Sequence, residues 1–420
     1  TAVWAASHRL ASPSCIASAL AMQLDPLQPP RRSINLATPG LPRFTWYGRR
    51  GQVTYGLSLA SHLRFLGVPF EIVGTPMALW KPDWMPLRQM RSTLANSCPS
   101  NPEGTGILQS WVAGYVPDIG QRKLRTLFST EYVVFMRSFA NHFDIAADEA
   151  HVEALEQDST GFRARLANGR TIAARQVVVA TGVAGTETLP RWAAEFPDPA
   201  KVMHSSRAAG FDAAGKRVLV IGAGQTAAEA CIDAAGKGAA AVDMAFRAKA
   251  VVYSSMHDEP TLERQRREYL IRNAFIYSGE AWRTRNVYTL LPRSIEPVLA
   301  PALAACAALK PGTEVVSARL TGGGEVEVAF EAGGVATYDA VLCATGFRPG
   351  IGRLPFALSL QEPLAHHASL PLLDESGESS TPGMFFTGAW AALRFGPQSN
   401  VVFGTEQMVG RLVGRIARLG

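Results

Sequence analysis

A short β-branched run, followed by glycine and a stretch of helix formers, organises the middle of the chain. The run Arg217–Ile221 leads through two glycines into Ala228–Ala235. A buried parallel strand has a continuous apolar run, so this order predicts a strand, a tight turn and a helix. A second short strand, Ala241–Phe246, follows after one helix length. The pattern is typical of a strand–helix–strand unit in a parallel sheet.

A second helix and strand are predicted upstream. Apolar residues at helical spacing from Tyr55 to a terminating Gly67 indicate a helix, and Val68–Val73 indicates the strand after it. The preceding segment, Trp46–Arg50, ends in two arginines where a central parallel strand normally buries aliphatic side chains. We therefore expect either that this segment is not the central strand or that another piece of chain, such as Ser33–Ala37, fills that place.

Three later strands each end in glycine. Two of them, in Gln176–Gly182 and Asp339–Phe347, finish in the same Ala-Thr-Gly sequence, and the third lies in Gly383–Gly388. Glycine at such a position allows a turn that brings the backbone close to a ligand. The stretch Val401–Arg418 carries a helical apolar pattern.

The glycines after Arg217–Ile221 form a GxGxxA motif. Gly222 permits the tight turn, and Gly224 removes a side chain that would block a pyrophosphate. Ala227 allows the helix to pack closely on the strand, and the first N–H groups of the helix face the anion. Since the motif stands between a predicted strand and a predicted helix, it indicates a dinucleotide site.

Arg247 follows the strand Ala241–Phe246. Proteins that bind NAD usually have an acidic residue at this point for the ribose 2′-hydroxyl, whereas a cation favours the 2′-phosphate of NADPH. The alternative is a solvated surface arginine.

The corresponding turn upstream is imperfect. Its outer glycines, Gly51 and Gly56, are present, but the middle position is Val53. The β-branched side chain of valine would project where a pyrophosphate needs bare backbone. The upstream dinucleotide site is therefore compromised in sequence.

Composition excludes several classes of protein. The chain has 420 residues, enough for two domains, and its 47% apolar and 18% charged content is that of a globular protein. The net charge is +6 and the arginines are scattered, which does not suggest a nucleic-acid binder. No apolar stretch approaches the roughly 18–20 residues that cross a bilayer, so we expect no membrane association.

Cysteines and histidines show no metal or redox pattern. The five cysteines lie far apart without a CxxC pair, which excludes a disulfide framework and a dithiol redox centre and favours a cytoplasmic location. No HExxH occurs, and the pair His366–His367 is expected to be solvated, so we expect no metal site. Residues 1–40 are rich in Ala and Ser and are interpreted as an N-terminal extension rather than a targeting peptide.

Over about residues 45–420 the chain resembles the two-dinucleotide-binding flavoprotein monooxygenases. It is nearest the bacterial lysine/ornithine N-hydroxylase-like branch, with relatives among the flavin-containing monooxygenases. Tyr55–Ala60 resembles the start of the family's FAD helix, and the segment from Trp80 to Ser92 resembles the one that crosses the flavin region. Phe196–Ser206 departs from the Baeyer–Villiger fingerprint, because its Phe–His spacing is longer and no Trp follows.

The resemblance implies an α/β fold of two Rossmann-like dinucleotide-binding domains, with an NADPH domain inserted into a sequence-split FAD domain. The expected ranges are 1–40 for the extension, 41–185 and 338–420 for the two parts of the FAD-type domain, and 186–337 for the NADPH-binding domain. The candidate cofactor-binding residues are Gly51, Gly56, Trp80, Gly182, Gly222, Gly224, Gln225, Thr226, Ala227, Arg247, Gly346 and Gly388.

The function that the resemblance implies is an FAD- and NADPH-dependent monooxygenase. Such an enzyme oxygenates an amine or another nucleophilic small molecule with O₂ through a flavin C4a-hydroperoxide, so no acid–base triad is required. An NADPH-dependent flavoprotein with other redox or redox-neutral chemistry is one alternative. A degenerate member that has lost FAD and acts as an NADPH-binding or partner protein is another, and Arg49, Arg50 and Val53 keep it open. A homo-oligomer is compatible with the sequence.

Overall fold

The structure is a computed structural model. It describes residues 44–48 (backbone only), 54–75, 77, 79–80, 88–104, 106–122, 124–255, 275–287, 294–354, 356, 359–360 and 363–419. The N-terminal extension, Arg49, Arg50, Gly51 and Val53 lie outside these residues.

The strands follow in chain order. They are β1 (Phe44–Gly48), β2 (Glu71–Gly74), β3 (Val152–Asp158), β4 (Gly161–Leu166), β5 (Thr171–Ala174), β6 (Gln176–Val179), β7 (Val202–His204), β8 (Arg217–Ile221), β9 (Ala241–Phe246), β10 (Ala308–Pro311), β11 (Val315–Leu320), β12 (Val326–Phe330), β13 (Val335–Tyr338), β14 (Ala340–Cys343), β15 (His366–His367), β16 (Leu370–Pro371) and β17 (Met384–Phe386).

The helices are interspersed among these strands. They are α1 (Thr54–Phe65), α2 (Gly106–Tyr115), α3 (Ser129–His142), α4 (Arg191–Ala194), α5 (Gln225–Gly236), α6 (Glu280–Asn286), α7 (Ala300–Cys306), α8 (Ala392–Phe395) and α9 (Gly404–Leu419). Short 3₁₀ turns occur at Leu94–Asn96, Pro117–Gln121, Ser205–Arg207, Pro297–Leu299, Ile351–Arg353, Gly388–Ala391 and Pro397–Asn400. Within the described residues, no helix has both the length and the apolar character that crossing a bilayer requires.

Two parallel sheets form the framework. The first has the order β17-β6-β1-β2 and the second the order β10-β9-β8-β14-β7. We call the first sheet with α1, α2, α3, α8, α9 and β3–β5 the first lobe. The second sheet with α5, α7 and β11–β13 is the second lobe. The strands of the second sheet fall between β6 and β17 in sequence, so the second lobe is inserted into the first, as predicted.

Each sheet is covered on both faces, which explains the continuous apolar runs of its central strands. In β6, Val178 packs toward α1, α3 and α9, whereas Val177 and Val179 pack toward the antiparallel sheet β3–β4–β5. In β8, Val218 and Val220 contact the core beneath α5 and α7, and the residue between them packs toward β11–β12–β13. Successive strand residues point to opposite faces, so both cores are built from one run.

The place of β1 corrects one expectation. β1 pairs with β2 on one side and β6 on the other, so this segment is the central strand that the two arginines seemed to exclude. Strand β1 ends at Gly48, and Arg49 and Arg50 follow it in the chain.

Two boundaries also differ from the predictions. The strand expected over Val68–Val73 begins only at Glu71, because Pro69 has no N–H and the Val68 N–H donates to the Leu63 carbonyl at 2.9 Å. Strand β14 pairs with β7 and β8 in the second sheet, so the return to the FAD-type domain expected at 338 falls after Cys343. The other domain limits remain predictions.

Candidate functional site

The turn between β8 and α5 has the geometry that the GxGxxA motif predicts. Gly222 has a φ of +148°, and a Cβ at this position would lie 2.5 Å from the Ala344 carbonyl and 3.3 Å from the Ala227 Cβ. Glycine is therefore required at 222 by both conformation and space. Gly224, in contrast, has no atom within 4 Å of a built Cβ. The open space lies at the N-terminus of α5, where backbone N–H groups favour an anion.

Gly224 and the residues after it start α5. Gly224 is the N-cap without a side-chain hydrogen bond, and Gln225, Thr226 and Ala227 form the first turn. Ala227 is fully buried against the second sheet, which accounts for the small residue at that position. The sequence-predicted phosphate turn is thus one continuous structural feature.

Arg247 directly follows β9 in the second sheet. Its side chain is 71% exposed, and its Nη1 lies 3.9 Å from Glu314 Oε1. Such an exposed and distant ion pair holds the guanidinium weakly, which leaves it accessible to a ligand.

The two Ala-Thr-Gly sequences lie where the chain crosses between the lobes. Gly182 and Gly346 have φ values of +60° and +81°. The crossing segments run side by side, because the Thr188 N–H donates to the Gly346 carbonyl and the Arg348 N–H donates to the Thr186 carbonyl, both at 2.8 Å. Both glycines therefore lie at turns from which the chain passes between the lobes.

His204 lies buried at the same crossing. Its Nε2 is 3.0 Å from the Gly346 carbonyl and its Nδ1 is 2.8 Å from Ser206 Oγ. Burial lowers the pKa of His204; the nearby Glu187 opposes this shift and Arg207 adds to it. These contacts give His204 a structural role at the crossing.

In the first lobe, the N-termini of α1 and α9 meet around Tyr55. The Tyr55 hydroxyl donates to the Val401 carbonyl at 3.0 Å, and its ring lies 3.5 Å from the Cβ position of Gly388. A side chain at Gly404 would collide with the Tyr55 hydroxyl. Gly56 is buried in the first turn of α1. Two positive helix ends therefore converge at one point of the first lobe.

A cavity opens between this point and the second lobe. Its described lining residues are Thr54, Tyr55, Trp80, Arg88, Gln89, Met90, Arg91, Ser92, Ser129, Gln225, Asn400, Val401 and Val402. Of the sequence-predicted site residues, Trp80 and Gln225 line the cavity. The remaining described ones belong to the turns and strand ends, and Gly51 lies outside the described residues.

Sequence reasoning missed four charged residues beside the cavity. Arg88 Nε lies 3.3 Å from Glu229 Oε2, and Arg91 Nε donates to Glu296 Oε1 at 3.1 Å. The carboxylates are buried, and burial raises the pKa of Glu229 while Arg88 opposes the shift. The sequence holds a partial indication of this group, because Gln225 and Glu229 lie one helical turn apart and can contact each other.

Thiol and metal chemistry receive no support from the described residues. Cys98, Cys231, Cys306 and Cys343 are free cysteines, and burial raises the pKa of Cys343 to about 12. No group of three or more metal-ligating side chains occurs in the described part of the chain.

The fold and these turns define a two-lobe protein of the α/β class, with one parallel sheet in each lobe. A family model described as pyridine nucleotide-disulphide oxidoreductase matches residues 88–275. No curated protein matches the chain.

Solved structures show the same architecture. The ornithine N-hydroxylase of Kutzneria sp. 744, recorded with reduced FAD, NADP⁺ and L-ornithine, is similar with a TM-score of 0.74 and 16% identity, over 90% of this chain and 100% of that chain. The ornithine hydroxylase of Pseudomonas aeruginosa gives 0.73 and 17%, over 90% and 99%. The FAD-bound cadaverine monooxygenase of Erwinia amylovora gives 0.73 and 16%, over 90% and 95%. At these identities the likeness establishes the fold, and it confirms the predicted resemblance at that level.

Alanine substitutions at the two glycines of the turn between β8 and α5 should differ in their cost to stability. Gly222→Ala should lower the free energy of unfolding by about 1–3 kcal/mol, because alanine disfavours this φ and its Cβ meets a backbone carbonyl. Gly224→Ala should cost less, about 0.5–1 kcal/mol, since its Cβ enters open space and only the N-cap preference for glycine over alanine is lost. Urea unfolding of both variants tests this, and equal midpoints would contradict the described turn.

The buried His204 predicts a pH dependence of stability. Its pKa is lowered in the folded state, so its contribution is present above the ordinary histidine pKa and is lost as the pH falls through that value toward the folded one. His204→Gln should therefore lose less stability than the parent between about pH 7 and pH 5. The exposed His366→Gln is the control and should follow the parent curve. Parallel curves for all three proteins would rule the expectation out.

Proposed function

We propose that this protein is an FAD- and NADPH-dependent monooxygenase that oxygenates an amine or another nucleophilic small molecule with O₂. The observation that carries the proposal is the cavity between the two lobes. It is lined by Thr54 and Tyr55 from the first turn of α1 and by Gln225 from the first turn of α5. Ligands of open α/β sheets bind outside the carboxyl ends of the strands, so two dinucleotides held at these turns would meet there.

The first lobe fits an FAD molecule in its described part. The N-termini of α1 and α9 provide two positive helix ends, and Gly388, with a φ of +65°, keeps the backbone close to Tyr55. Gly56, Gly182 and Gly388 would let the backbone come close to the FAD. Trp80 would form part of the cavity wall. Gly51, outside the described residues, remains a candidate from the sequence alone.

The second lobe fits NADPH. Open space beside Gly224 and the first turn of α5 would take the pyrophosphate, with Gly222, Thr226 and Ala227 forming the turn. Arg247 would pair with the 2′-phosphate, and Gly346 would bring the crossing segment close to the ligand.

The chain's own residues would bind, orient and exclude water rather than transfer protons. Among the described residues that line the cavity, none is an Asp, Glu, His, Cys or Lys. When bound, a flavin supplies the redox chemistry with NADPH and O₂. Trp80, whose ring centroid lies 5.5 Å from that of the buried Tyr132, would shield the cavity from water. The similarity to an ornithine N-hydroxylase and a cadaverine monooxygenase supports an amine as the substrate class.

An absorbance spectrum of the purified protein tests this function. After incubation with FAD and gel filtration, we expect a flavin band that bleaches with NADPH under anaerobic conditions and returns in air. Gly224→Val should retain the band but not bleach, because the valine side chain would fill the space beside α5.

Two other results of the same experiment would indicate a different function. A band that cycles but yields one peroxide per NADPH with every diamine and amino acid tested would indicate an oxidase. Failure to retain FAD, with NADP⁺ binding intact, would overturn the proposal in favour of a member that has lost its flavin, as Val53 suggests.

Arg247 should determine the choice between NADPH and NADH. Arg247→Ser should reduce the NADPH:NADH ratio of binding constants by about tenfold or more, because a charge-assisted hydrogen bond contributes about 1.5–3 kcal/mol. Titration of both nucleotides measures the ratio. Arg319→Ser, which removes an arginine of equal exposure on β11, is the matched control and should leave the ratio unchanged. An unaltered ratio in Arg247→Ser would mean that this residue is only a surface cation.

A further inference from the structure

The backbone around Arg91 belongs to the first lobe. The preceding Met90 is buried in the core that contains α3, and its N–H donates to the Leu127 carbonyl at 2.8 Å. The Ser129 N–H donates to the Arg88 carbonyl, also at 2.8 Å. Two backbone hydrogen bonds therefore anchor this segment to the start of α3.

The Arg91 guanidinium, in contrast, reaches residues that follow β9. Its Nη2 donates to the Ser254 carbonyl at 2.7 Å and to Ser294 Oγ at 3.0 Å. Its Nη1 donates to the Ser294 carbonyl and its Nε to Glu296 Oε1, each at 3.1 Å. One planar side chain thus makes four hydrogen bonds, which a lysine with its single point charge could not reproduce.

These acceptors are held to the core of the second lobe. Ile295, between two of them in sequence, is fully buried in the cluster that contains α5 and α7. Its N–H donates to the Val252 carbonyl at 2.8 Å, and the Ser254 N–H donates to its carbonyl at 3.0 Å. Arg91 therefore binds both of the paired segments, 252–254 and 294–296, which pack on the core of the second lobe.

The contacts continue to the glycine turn. The Glu296 N–H donates to Gln225 Oε1 at 2.8 Å, and Gln225 Nε2 donates to Glu229 Oε1 at 2.9 Å. The second oxygen of Glu229 pairs with Arg88, which returns the network to the first lobe. We call Arg88, Arg91, Gln225, Glu229 and Glu296 the arginine network. It joins the first turn of α5 to the cavity wall at two points.

Because its carboxylates are buried, the arginine network is sensitive to the loss of either arginine. The Glu296 side chain is fully buried and that of Glu229 is 8% exposed, whereas Arg91 and Arg88 are about a quarter exposed. Two cations face two carboxylates, so the charges balance. Removal of one arginine would leave a buried carboxylate without its counter-charge, which is strongly unfavourable.

We propose that Arg91 is a positioning residue that holds the first turn of α5, and with it the nucleotide turn of the second lobe, toward the cavity of the first lobe. Arg88 provides the second point of attachment through Glu229. The crossing segments join the lobes through the backbone, and the arginine network fixes their separation on the cavity side. This proposal goes beyond the proposed function and its first test does not depend on flavin.

Hydrogen–deuterium exchange of the full chain provides that first test. In Arg91→Ala, exchange should rise by about tenfold or more at 225–230 and 294–299, while β8 and α9 remain protected as in the parent. The matched control is Arg122→Ala, which removes an arginine paired with Asp118 and Glu131 inside the first lobe. It should raise exchange near those residues alone.

A second variant that keeps the positive charge tests the proposal even if Arg91→Ala does not fold. Arg91→Lys should fold, and its exchange at 225–230 should lie between those of the parent and the alanine variant, because one ammonium replaces four hydrogen bonds. Unchanged exchange at 225–230 in Arg91→Lys and Arg91→Ala, or an equal rise over the whole chain, would overturn the proposal.

A second measurement separates positioning from simple stabilisation and rests on the proposed function. In the FAD-loaded protein, Arg91→Lys should slow flavin reduction at saturating NADPH by about tenfold or more, because small misplacements of reacting groups are costly. The dissociation constant of NADP⁺ should stay within about threefold, since the pyrophosphate turn itself is intact. An unchanged reduction rate alongside raised exchange would show a structural role only. Loss of flavin from the parent as well would count against the proposed function and leave the exchange result standing.

Discussion

The two segments by which the chain crosses between its sheets lie side by side, and the arrangement of the lobes depends on their pairing. Hydrogen bonds from Thr188 to Gly346 and from Arg348 to Thr186 tie the outgoing segment to the returning one. His204, buried at the end of β7, adds a contact to the same Gly346 carbonyl. Because both crossings start at carboxyl ends of strands, they place those ends of the two sheets around a common cavity.

The threonines of the two Ala-Thr-Gly sequences contribute to this arrangement in different ways. Thr181 Oγ1 accepts a hydrogen bond from Trp390 Nε1 at 2.7 Å, which joins the first crossing to the C-terminal part of the first lobe. The Thr345 hydroxyl donates to the Thr188 carbonyl and so joins the two crossings. The repeated sequence therefore supplies, besides its glycine turns, one buried and one half-buried polar contact, each satisfied within the protein.

Much of the fold and of the second turn could be predicted from sequence, because those features depend on neighbouring residues. The strand β8, its glycines and α5 are consecutive, and a motif of six residues defines their geometry. The upstream turn was harder to interpret. Two arginines suggested that the central strand lay elsewhere, whereas β1 ends before them and pairs on both sides. Pairing partners more than 100 residues away, such as β6, are not visible in the local pattern.

The sequence by itself determined strand β8, its glycine turn and helix α5, since these follow from local periodicity and the conformational freedom of glycine. The class of fold followed from the family resemblance. Only the tertiary structure decided that β14 belongs to the second sheet and that Arg91 contacts Glu296, 205 residues away in the chain. Charged residues in a sequence are expected on the surface. Their burial depends on partners that folding brings together, and those partners come from distant segments whose pairing no local pattern records.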